Sequence, residues 1–240
     1  MGVIGGLAPI GRCVLRLGVT RCLLKGMRIT KLEHAAVIIE NAGETLIIDP
    51  GKFTRPIEPD ASVVAVVITH LHDDHWTPEQ LERIRAASPG VALFGPAGVV
   101  AAAAAAGIPV QPVAAGDSVV VGGFELRFFG GTHALIHRSI PLIDNVGVLV
   151  NGRFYYGGDS FDAPADTLVE VLAVPAAAPW MKLSEAMDYV EAVAPRHSFP
   201  THEMLLSDAG KALSNARLAW STEQAGGQFS PLTPGESIEI

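Results

Sequence analysis

Three histidines and two aspartates lie within seven residues of this chain, in the segment from Thr69 to His75. His70 and His72 are two residues apart, so in an extended backbone their imidazoles point to the same side. Asp74 and His75 can approach from the turn that follows. Imidazole and carboxylate groups without a nearby thiolate favour Zn²⁺, and Mn²⁺ or Fe²⁺ also accept such donors. The segment therefore predicts a metal site; the alternative is a polar surface loop in which this spacing arose by chance.

A buried strand precedes this segment and a helix follows it. Residues 61–68 read ASVVAVVI, a nearly continuous apolar run that is typical of a strand buried on both faces. Residues 77–80, TPEQ, combine a Thr N-cap, a Pro at the first helical position and a Gln that closes a capping box. They predict a helix over residues 81–87. The histidines are thus expected on a strand-to-helix loop.

The His-x-His-x-Asp-His spacing is the signature of the metallo-β-lactamase-fold hydrolases, and the chain resembles this family from Met27 to its C-terminus. Within the family it looks most like the ascorbate-6-phosphate lactonase-like branch of small bacterial metal-dependent hydrolases. The resemblance implies an α+β four-layer αβ/βα sandwich, in which two mixed β-sheets pack face to face with helices outside. The predicted order of strands and helices fits such packing.

Further elements are predicted from apolar runs, turn residues and caps. Strands are expected at 27–32, 35–40, 44–48, 91–94, 119–121, 124–129, 146–150, 153–156, 168–174, 196–199 and near 238–240. Helices are expected at 96–106, from a Ser184 cap to about Val193, and at 207–219.

Three later residues follow predicted strand ends: His133 after two glycines and a threonine, Asp159 after two glycines, and His202 after Pro and Thr. Taken alone, each is compatible with an ordinary loop or turn residue. The resemblance implies that His133 completes a first metal site, that Asp159 bridges two metals and that His202 belongs to the second. The predicted cofactors are thus two divalent ions, most readily Zn²⁺, with seven protein ligands: His70, His72, Asp74, His75, His133, Asp159 and His202.

Four further residues are candidates for the surroundings of the site. In the resembled family an Asp at the position of Asp49 lies beneath the metal loop and orients ligands, although a turn Asp is the alternative. His34 stands where relatives often carry Gly-His-Ser and is a candidate for the pocket edge, or else an ordinary strand histidine. His137 is a candidate proton donor or substrate contact, or a solvated loop residue. Trp180 is expected to wall the substrate pocket or to cover an exposed end of the core.

Length, hydrophobic content and net charge limit which classes of protein the chain can belong to. The chain has 240 residues and 49% hydrophobic content. Residues 27–240 are therefore long enough to form one metallo-hydrolase domain. The formal net charge of −8 argues against a nucleic-acid partner, because affinity for phosphate backbones comes mainly from Lys and Arg. A small-molecule substrate is expected, and the sequence leaves open whether the chain is a monomer or a homo-oligomer.

Residues 1–26 are expected to be a poorly ordered leader or the product of a start site placed too far upstream. Basic residues interrupt their apolar stretches, so neither a signal peptide nor a membrane span is predicted. The two cysteines, Cys13 and Cys22, both lie in this segment. The remaining body has no thiol, which is compatible with the reducing cytoplasm, the predicted location.

The predicted reaction is hydrolysis of a small lactone, ester, amide or phosphodiester by a hydroxide that bridges the two metals, since a metal lowers the pKa of bound water to about 7. Asp74 is expected to orient this hydroxide or carry its proton. No Cys stands among the ligands, unlike many true β-lactamases, and His72 replaces the Glu of flavodiiron oxygen reductases. The alternatives are a nuclease or nucleotide phosphodiesterase of the same fold and a non-catalytic metal-binding ligand sensor.

Overall fold

The structure is a computed structural model that describes residues 26–165 and 167–240. Its strands are β1 (Arg28–Lys31), β2 (Val37–Asn41), β3 (Glu44–Ile48), β4 (Val63–Val67), β5 (Ala92–Gly95), β6 (Gln111–Pro112), β7 (Ser118–Val121), β8 (Phe124–Gly130), β9 (Val146–Val150), β10 (Phe154–Tyr156), β11 (Val171–Pro175), β12 (His197–Thr201), β13 (Gln228–Phe229) and β14 (Ser237–Glu239). Its helices are α1 (Pro78–Ala87), α2 (Ala97–Ala105), α3 (Leu183–Val193) and α4 (Asp208–Gln224).

The strands form two seven-stranded sheets, in the orders β14-β1-β2-β3-β4-β5-β6 and β13-β12-β11-β10-β9-β8-β7. Both sheets are mixed: β2 pairs with β3 antiparallel and β3 with β4 parallel, while β9 pairs with β10 antiparallel and β10 with β11 parallel. The space between the sheets is filled by apolar side chains from each, such as Ile39 and Val67 on one side and Phe128 and Phe199 on the other. This interlayer is the main hydrophobic core.

Helices cover the outer face of each sheet. Ile84 of α1 and Val99 of α2 belong to one buried cluster with Val66 of β4, and Leu218 of α4 packs into another with Leu172 of β11. The prediction of a four-layer αβ/βα sandwich is confirmed. The double burial of β4 is also as predicted, because alternate residues of this strand face the interlayer and the helices.

Three details differ from the sequence prediction. Thr77 caps α1, but the Gln80 amide bonds to the 54–57 loop instead of closing a capping box, because there it satisfies buried backbone groups. The predicted Ser184 cap is wrong: α3 begins at Leu183, after Lys182 as N-cap. The strand predicted from Leu168 begins only at Val171, and the Leu168 side chain is exposed.

The predicted leader lies outside the described residues, apart from Gly26. No helix within residues 26–165 and 167–240 is long and apolar enough to cross a membrane.

Strand direction brings the predicted site residues to one edge of the sandwich. Parallel neighbours end on the same side, and β3, β4, β8, β10 and β12 each lead directly into a candidate residue or segment. The order is Asp49 after β3, residues 69–75 after β4, His133 after β8, Asp159 after β10 and His202 after β12. Both sheets therefore supply side chains to the same place.

Candidate metal centre

The Asp159 carboxylate lies at the middle of a cluster of imidazoles. Its Oδ1 is 3.2 Å from His75 Nε2, and its Oδ2 is 3.3 Å from His133 Nε2 and 3.4 Å from His202 Nε2. His70 Nε2 is 3.8 Å from the same Oδ2. One carboxylate therefore reaches four histidines from three separate segments of the chain.

The seven predicted ligands fall into overlapping groups of donor atoms that lie within 4.8 Å of one another. One group joins His70, His72, His133 and Asp159; a second joins His75, Asp159 and His202; a third joins His34, Asp74 and His202. Asp159 and His202 each belong to two groups. The structure thus brings together every predicted ligand, and it places His34 beside Asp74 and His202.

Most of the cluster is buried, and one side of it is open. His70 and His75 are fully buried and His133, Asp159 and His202 nearly so, whereas His72 and Asp74 are partly exposed. Three residues at the centre adopt left-handed backbone conformations that are unusual outside glycine: His34, Asp49 and His202, with φ of 58°, 49° and 60°. Such strain commonly accompanies functional sites.

The hydrogen bonds of three histidines fix which ring nitrogen faces the cluster. In each, Nδ1 lies against an oxygen that can only accept a hydrogen bond, so Nδ1 carries a proton and Nε2 is the nitrogen whose lone pair becomes available when the ring is neutral. The contacts are His75 Nδ1 to Asp49 Oδ2 at 2.6 Å, His133 Nδ1 to the Ala134 carbonyl at 2.5 Å and His202 Nδ1 to the Ala177 carbonyl at 2.7 Å.

Several atoms that face the centre find no hydrogen-bond partner among residues 26–165 and 167–240. His75 Nε2, His133 Nε2, His202 Nε2 and Asp159 Oδ1 are all buried and unsatisfied. Buried polar atoms are nearly always paired, and each exception requires an explanation. A divalent cation would satisfy all four atoms at once, and imidazole with carboxylate is a donor set that such ions prefer. The residues present therefore fit a metal.

Charges in the cluster shift the pKa values of its members. Burial lowers the pKa of His75, but the carboxylates of Asp159 and Asp49 outweigh it and raise the pKa well above its ordinary value. The pKa of His202 shifts in the same direction. Burial lowers it, but the Asp159 carboxylate outweighs burial and raises the pKa of His202 to about 9. Burial would raise the pKa of Asp159, yet His75 and His202 hold it well below its usual range. Without a cation, His75 and His202 therefore retain their protons, whereas burial lowers the pKa of His70 and of His72.

These shifts predict that metal binding releases protons. A metal needs the Nε2 lone pair, and at neutral pH His202 holds a proton because its pKa is about 9. Affinity for Zn²⁺ should therefore rise from pH 6 towards pH 9, by about tenfold per pH unit for each displaced proton. Calorimetric titration with Zn²⁺ in two buffers of different ionisation enthalpy counts the protons. A binding heat that is the same in both buffers would contradict the assignment.

Asp49 and Thr69 support the cluster from below. The Asp49 carboxylate accepts hydrogen bonds from the Thr69 amide at 2.8 Å and the Thr69 hydroxyl at 2.7 Å, besides its contact with His75. The Thr69 hydroxyl also lies 3.0 Å from His70 Nδ1. Asp49 thus lies where the family resemblance implied, beneath the metal loop. Thr69 was not predicted, although its place directly before His70 is a usable signal.

Trp180 and Asn145 both hold Asp159. The Trp180 indole N–H donates to Asp159 Oδ2 at 2.7 Å, a contact that its predicted role as a pocket wall did not include. The Asn145 side chain accepts from the Asp159 amide at 3.0 Å and donates to the Gly157 carbonyl at 2.9 Å. No sequence signal pointed to Asn145. His137, in contrast, is exposed and bonds to Ser139, outside every metal-ligand group found in the described residues.

Gly51 allows the metal loop to lie against the 49–51 turn. A Cβ at Gly51 would lie 1.8 Å from the Asp74 carbonyl oxygen, so Gly51→Ala must displace the loop that carries Asp74 and His75. We expect a loss of about 1–3 kcal/mol in unfolding free energy, typical of overpacking, and weaker Zn²⁺ binding. Urea denaturation and metal titration measure both. Gly90→Ala is the control because nothing lies within 4 Å of its added Cβ; equal effects in the two variants would contradict this account.

Comparison with known proteins agrees with the fold and shows the family. Residues 28–202 match the family model described as the beta-lactamase superfamily domain. Protein Rv0786c of Mycobacterium tuberculosis is 35% identical over 201 residues, which cover 82% of this chain and 93% of that protein. Igni18, a metallo hydrolase from the archaeon Ignicoccus hospitalis, superposes with a TM-score of 0.65 at 18% identity, over 89% of this chain and 98% of its own. A diphosphatase of the PhnP family superposes with a TM-score of 0.59 at 17% identity, over 85% and 83%.

The fold and the histidine cluster define a metallo-hydrolase of the metallo-β-lactamase fold. The chain belongs to the beta-lactamase superfamily. Its assignment to the ascorbate-6-phosphate lactonase-like branch stays a prediction.

Proposed function

We propose that this protein is a hydrolase that uses two divalent ions, with Zn²⁺ preferred, to cleave a small lactone or ester. The observation that carries the proposal is the convergence of buried, unpartnered Nε2 atoms on Asp159, at strand ends from both sheets. When bound, the ions would lower the pKa of a water to about 7 and polarise the substrate oxygen. The ascorbate-6-phosphate lactonase-like branch is compatible with this reaction, and the thiol-free body with a cytoplasmic location.

The proposed ligand sets follow the groups of donor atoms. His70, His72 and His133 would hold the first ion, and Asp74, His75 and His202 the second. Asp159 would serve both ions, because its two oxygens face histidines of the two sets. A shared carboxylate lowers the repulsion between two neighbouring dications.

Residues around the ligands would prepare them for this role. Asp49 holds His75 in the tautomer with a free Nε2, and Thr69 can do the same for His70. The Trp180 indole holds one oxygen of Asp159. Asp74 is partly exposed, which supports a role in which its carboxylate would orient an incoming water or accept its proton.

The segments that follow His133 and His202 in the chain favour a carbonyl substrate with an apolar body. Leu135 and Leu142 lie on the segment after His133, Leu205 lies three residues after His202, and all three side chains are more than half exposed. Lys52 and Arg55, on the segment that follows Asp49, are already paired with Asp73 and Glu33. Such a surface suits a lactone or ester better than a polyanion.

Hydrolysis of a phosphodiester is the second candidate. A PhnP-family diphosphatase shares the fold at 17% identity, so the fold is compatible with chemistry at phosphorus. A two-metal site also suits displacement at phosphorus. An amide substrate or a role as a non-catalytic ligand sensor remains compatible with the same ligands.

A substrate panel tests the proposal. Protein stripped with a chelator and reloaded with Zn²⁺ would be assayed on aliphatic lactones, p-nitrophenyl esters, thioesters and bis(p-nitrophenyl) phosphate. We expect lactone or ester hydrolysis that the chelator abolishes and Zn²⁺ restores. Turnover of the phosphodiester alone would favour the second candidate. Two bound ions without turnover of any substrate would overturn the proposal in favour of a sensor.

A further inference from the structure

His34 lies in the turn between β1 and β2 and is fully buried beside the second group of ligands. Its φ of 58° places it in the left-handed region, which L-residues rarely adopt. Its backbone carbonyl accepts a hydrogen bond from the His202 amide at 2.8 Å. The unusual backbone of His34 is thus tied directly to the residue proposed to hold the second ion.

The hydrogen bonds of its ring indicate the position of the ring proton. The Met204 backbone N–H donates to His34 Nδ1 at 3.4 Å, which requires a lone pair on Nδ1. In the neutral imidazole the proton is then on Nε2, which lies 3.1 Å from Asp74 Oδ2 and donates to it. This tautomer is assigned from the hydrogen-bond network. It is the opposite of the tautomer of His75, His133 and His202.

This tautomer distinguishes His34 from the ligands. A nitrogen that carries a proton has no lone pair for a metal, so Nε2 of His34 serves as a hydrogen-bond donor to a ligand. In residues 26–165 and 167–240, His34 Nε2 makes the shortest side-chain contact of the Asp74 carboxylate at 3.1 Å, and His202 Nε2 lies 3.4 Å from the same oxygen. The His34 ring also packs on the His202 ring, with centroids 4.0 Å apart, and meets Phe53 edge-on at 4.9 Å.

The contacts of His34 are confined to one side of the cluster. It touches Asp74 and His202, both assigned above to the second ion. The first group is held by other atoms, namely the Thr69 hydroxyl at His70 and the Ala134 carbonyl at His133. Loss of the His34 side chain should therefore affect the two ions unequally.

We propose that His34 is a positioning residue that aims the Asp74 carboxylate and the His202 ring, and that it sets the affinity of the second ion without setting that of the first. The inference depends on the two-ion site of the proposed function. Partners of metal ligands typically contribute 10- to 100-fold to metal affinity. We expect an effect of about that size, restricted to one ion.

Three variants test the inference. His34→Leu removes the donor at similar bulk, whereas His34→Gln retains an amide N–H at a similar reach. His137→Gln is the control, because His137 is exposed and its ring bonds to Ser139. Stepwise Zn²⁺ titration against a chromophoric chelator would measure both affinities, and the Co²⁺-loaded forms would report the ligands through their visible absorption. The first affinity also shows whether each variant is folded.

We expect His34→Leu to weaken the second ion about 10- to 100-fold and to leave the first unchanged, His34→Gln to recover part of the loss, and His137→Gln to match the wild type. An unchanged second affinity in His34→Leu would overturn the inference, and so would equal weakening of both ions. If His34→Gln fails to recover and the Co²⁺ absorption shows a lost nitrogen ligand, His34 is a ligand itself and the positioning role is wrong. A wild-type protein that binds a single ion would refute the two-ion proposal and this inference with it. If the wild type binds two ions and His34→Leu binds the second ion with unchanged affinity, the inference alone is refuted.

Discussion

Asp159→Asn should remove nearly all hydrolytic activity and weaken metal binding by at least about 100-fold. Loss of a residue that merely supports a ligand costs 10- to 100-fold in affinity, and Asp159 is proposed to be a ligand of both ions. Asn has almost the same shape but lacks the negative charge that faces His75, His133 and His202. The measurements are metal content after dialysis and turnover of the best substrate in the panel.

Asp162→Asn is the matched control for this experiment. Asp162 lies three residues further along the same loop, is exposed, and bonds to Ser160. It should keep metal content and turnover within about twofold of the wild type, as for a surface substitution. If Asp159→Asn binds two ions with the affinity of the wild type, Asp159 is not a ligand that the two ions share.

Glu203→Gln should lower the free energy of unfolding by about 3–5 kcal/mol, the usual cost of leaving one partner of a buried ion pair alone. Lys31 is fully buried, and its ammonium lies 2.5 Å from Glu203 Oε1 and 2.9 Å from the Leu32 carbonyl. The double variant Lys31→Met with Glu203→Leu should recover most of this loss, because the buried charges are then both absent. Urea denaturation of metal-free protein measures all three forms.

The loss in Glu203→Gln should also depend on pH. Burial lowers the pKa of Lys31 while Glu203 opposes this, so removing Glu203 lowers the pKa further. The penalty comes from a charged amine that has lost its partner, so it is present at neutral pH and shrinks as rising pH deprotonates Lys31. Glu170→Gln, which breaks the partly exposed pair with Arg153, should cost less than about 1 kcal/mol. Equal losses in the two variants would contradict this account.

The sequence predicted which side chains come together better than it predicted the contacts around them. Each proposed ligand follows a strand, and strand ends on one edge of a sandwich converge whatever the exact registers are. The pairing of Lys31 with Glu203, in contrast, joins residues 172 apart in the chain. Neither the composition nor the periodicity of residues 28–31 indicates a buried lysine, because such a pair depends on tertiary packing alone.

The same limit applies to the ends of elements. The two-residue strands β6 and β13 exist only through pairing with β5 and β12, so they leave no periodic pattern in the sequence. Leu168 extends an apolar run but is exposed, because β11 begins only where Val171 meets Phe154 and His197. The helix α4 continues to Gln224, five residues beyond the predicted end, since Leu218 and Thr222 are buried.

The most direct test of the account is a crystal structure of the Zn²⁺-loaded protein with anomalous scattering recorded at the zinc edge. We predict two anomalous peaks, one among His70, His72 and His133 and the other among Asp74, His75 and His202. Asp159 should contact both peaks, and the Nε2–H of His34 should face Asp74. A single peak, or zinc bound elsewhere on the chain, would contradict the two-ion centre on which the proposed hydrolase depends.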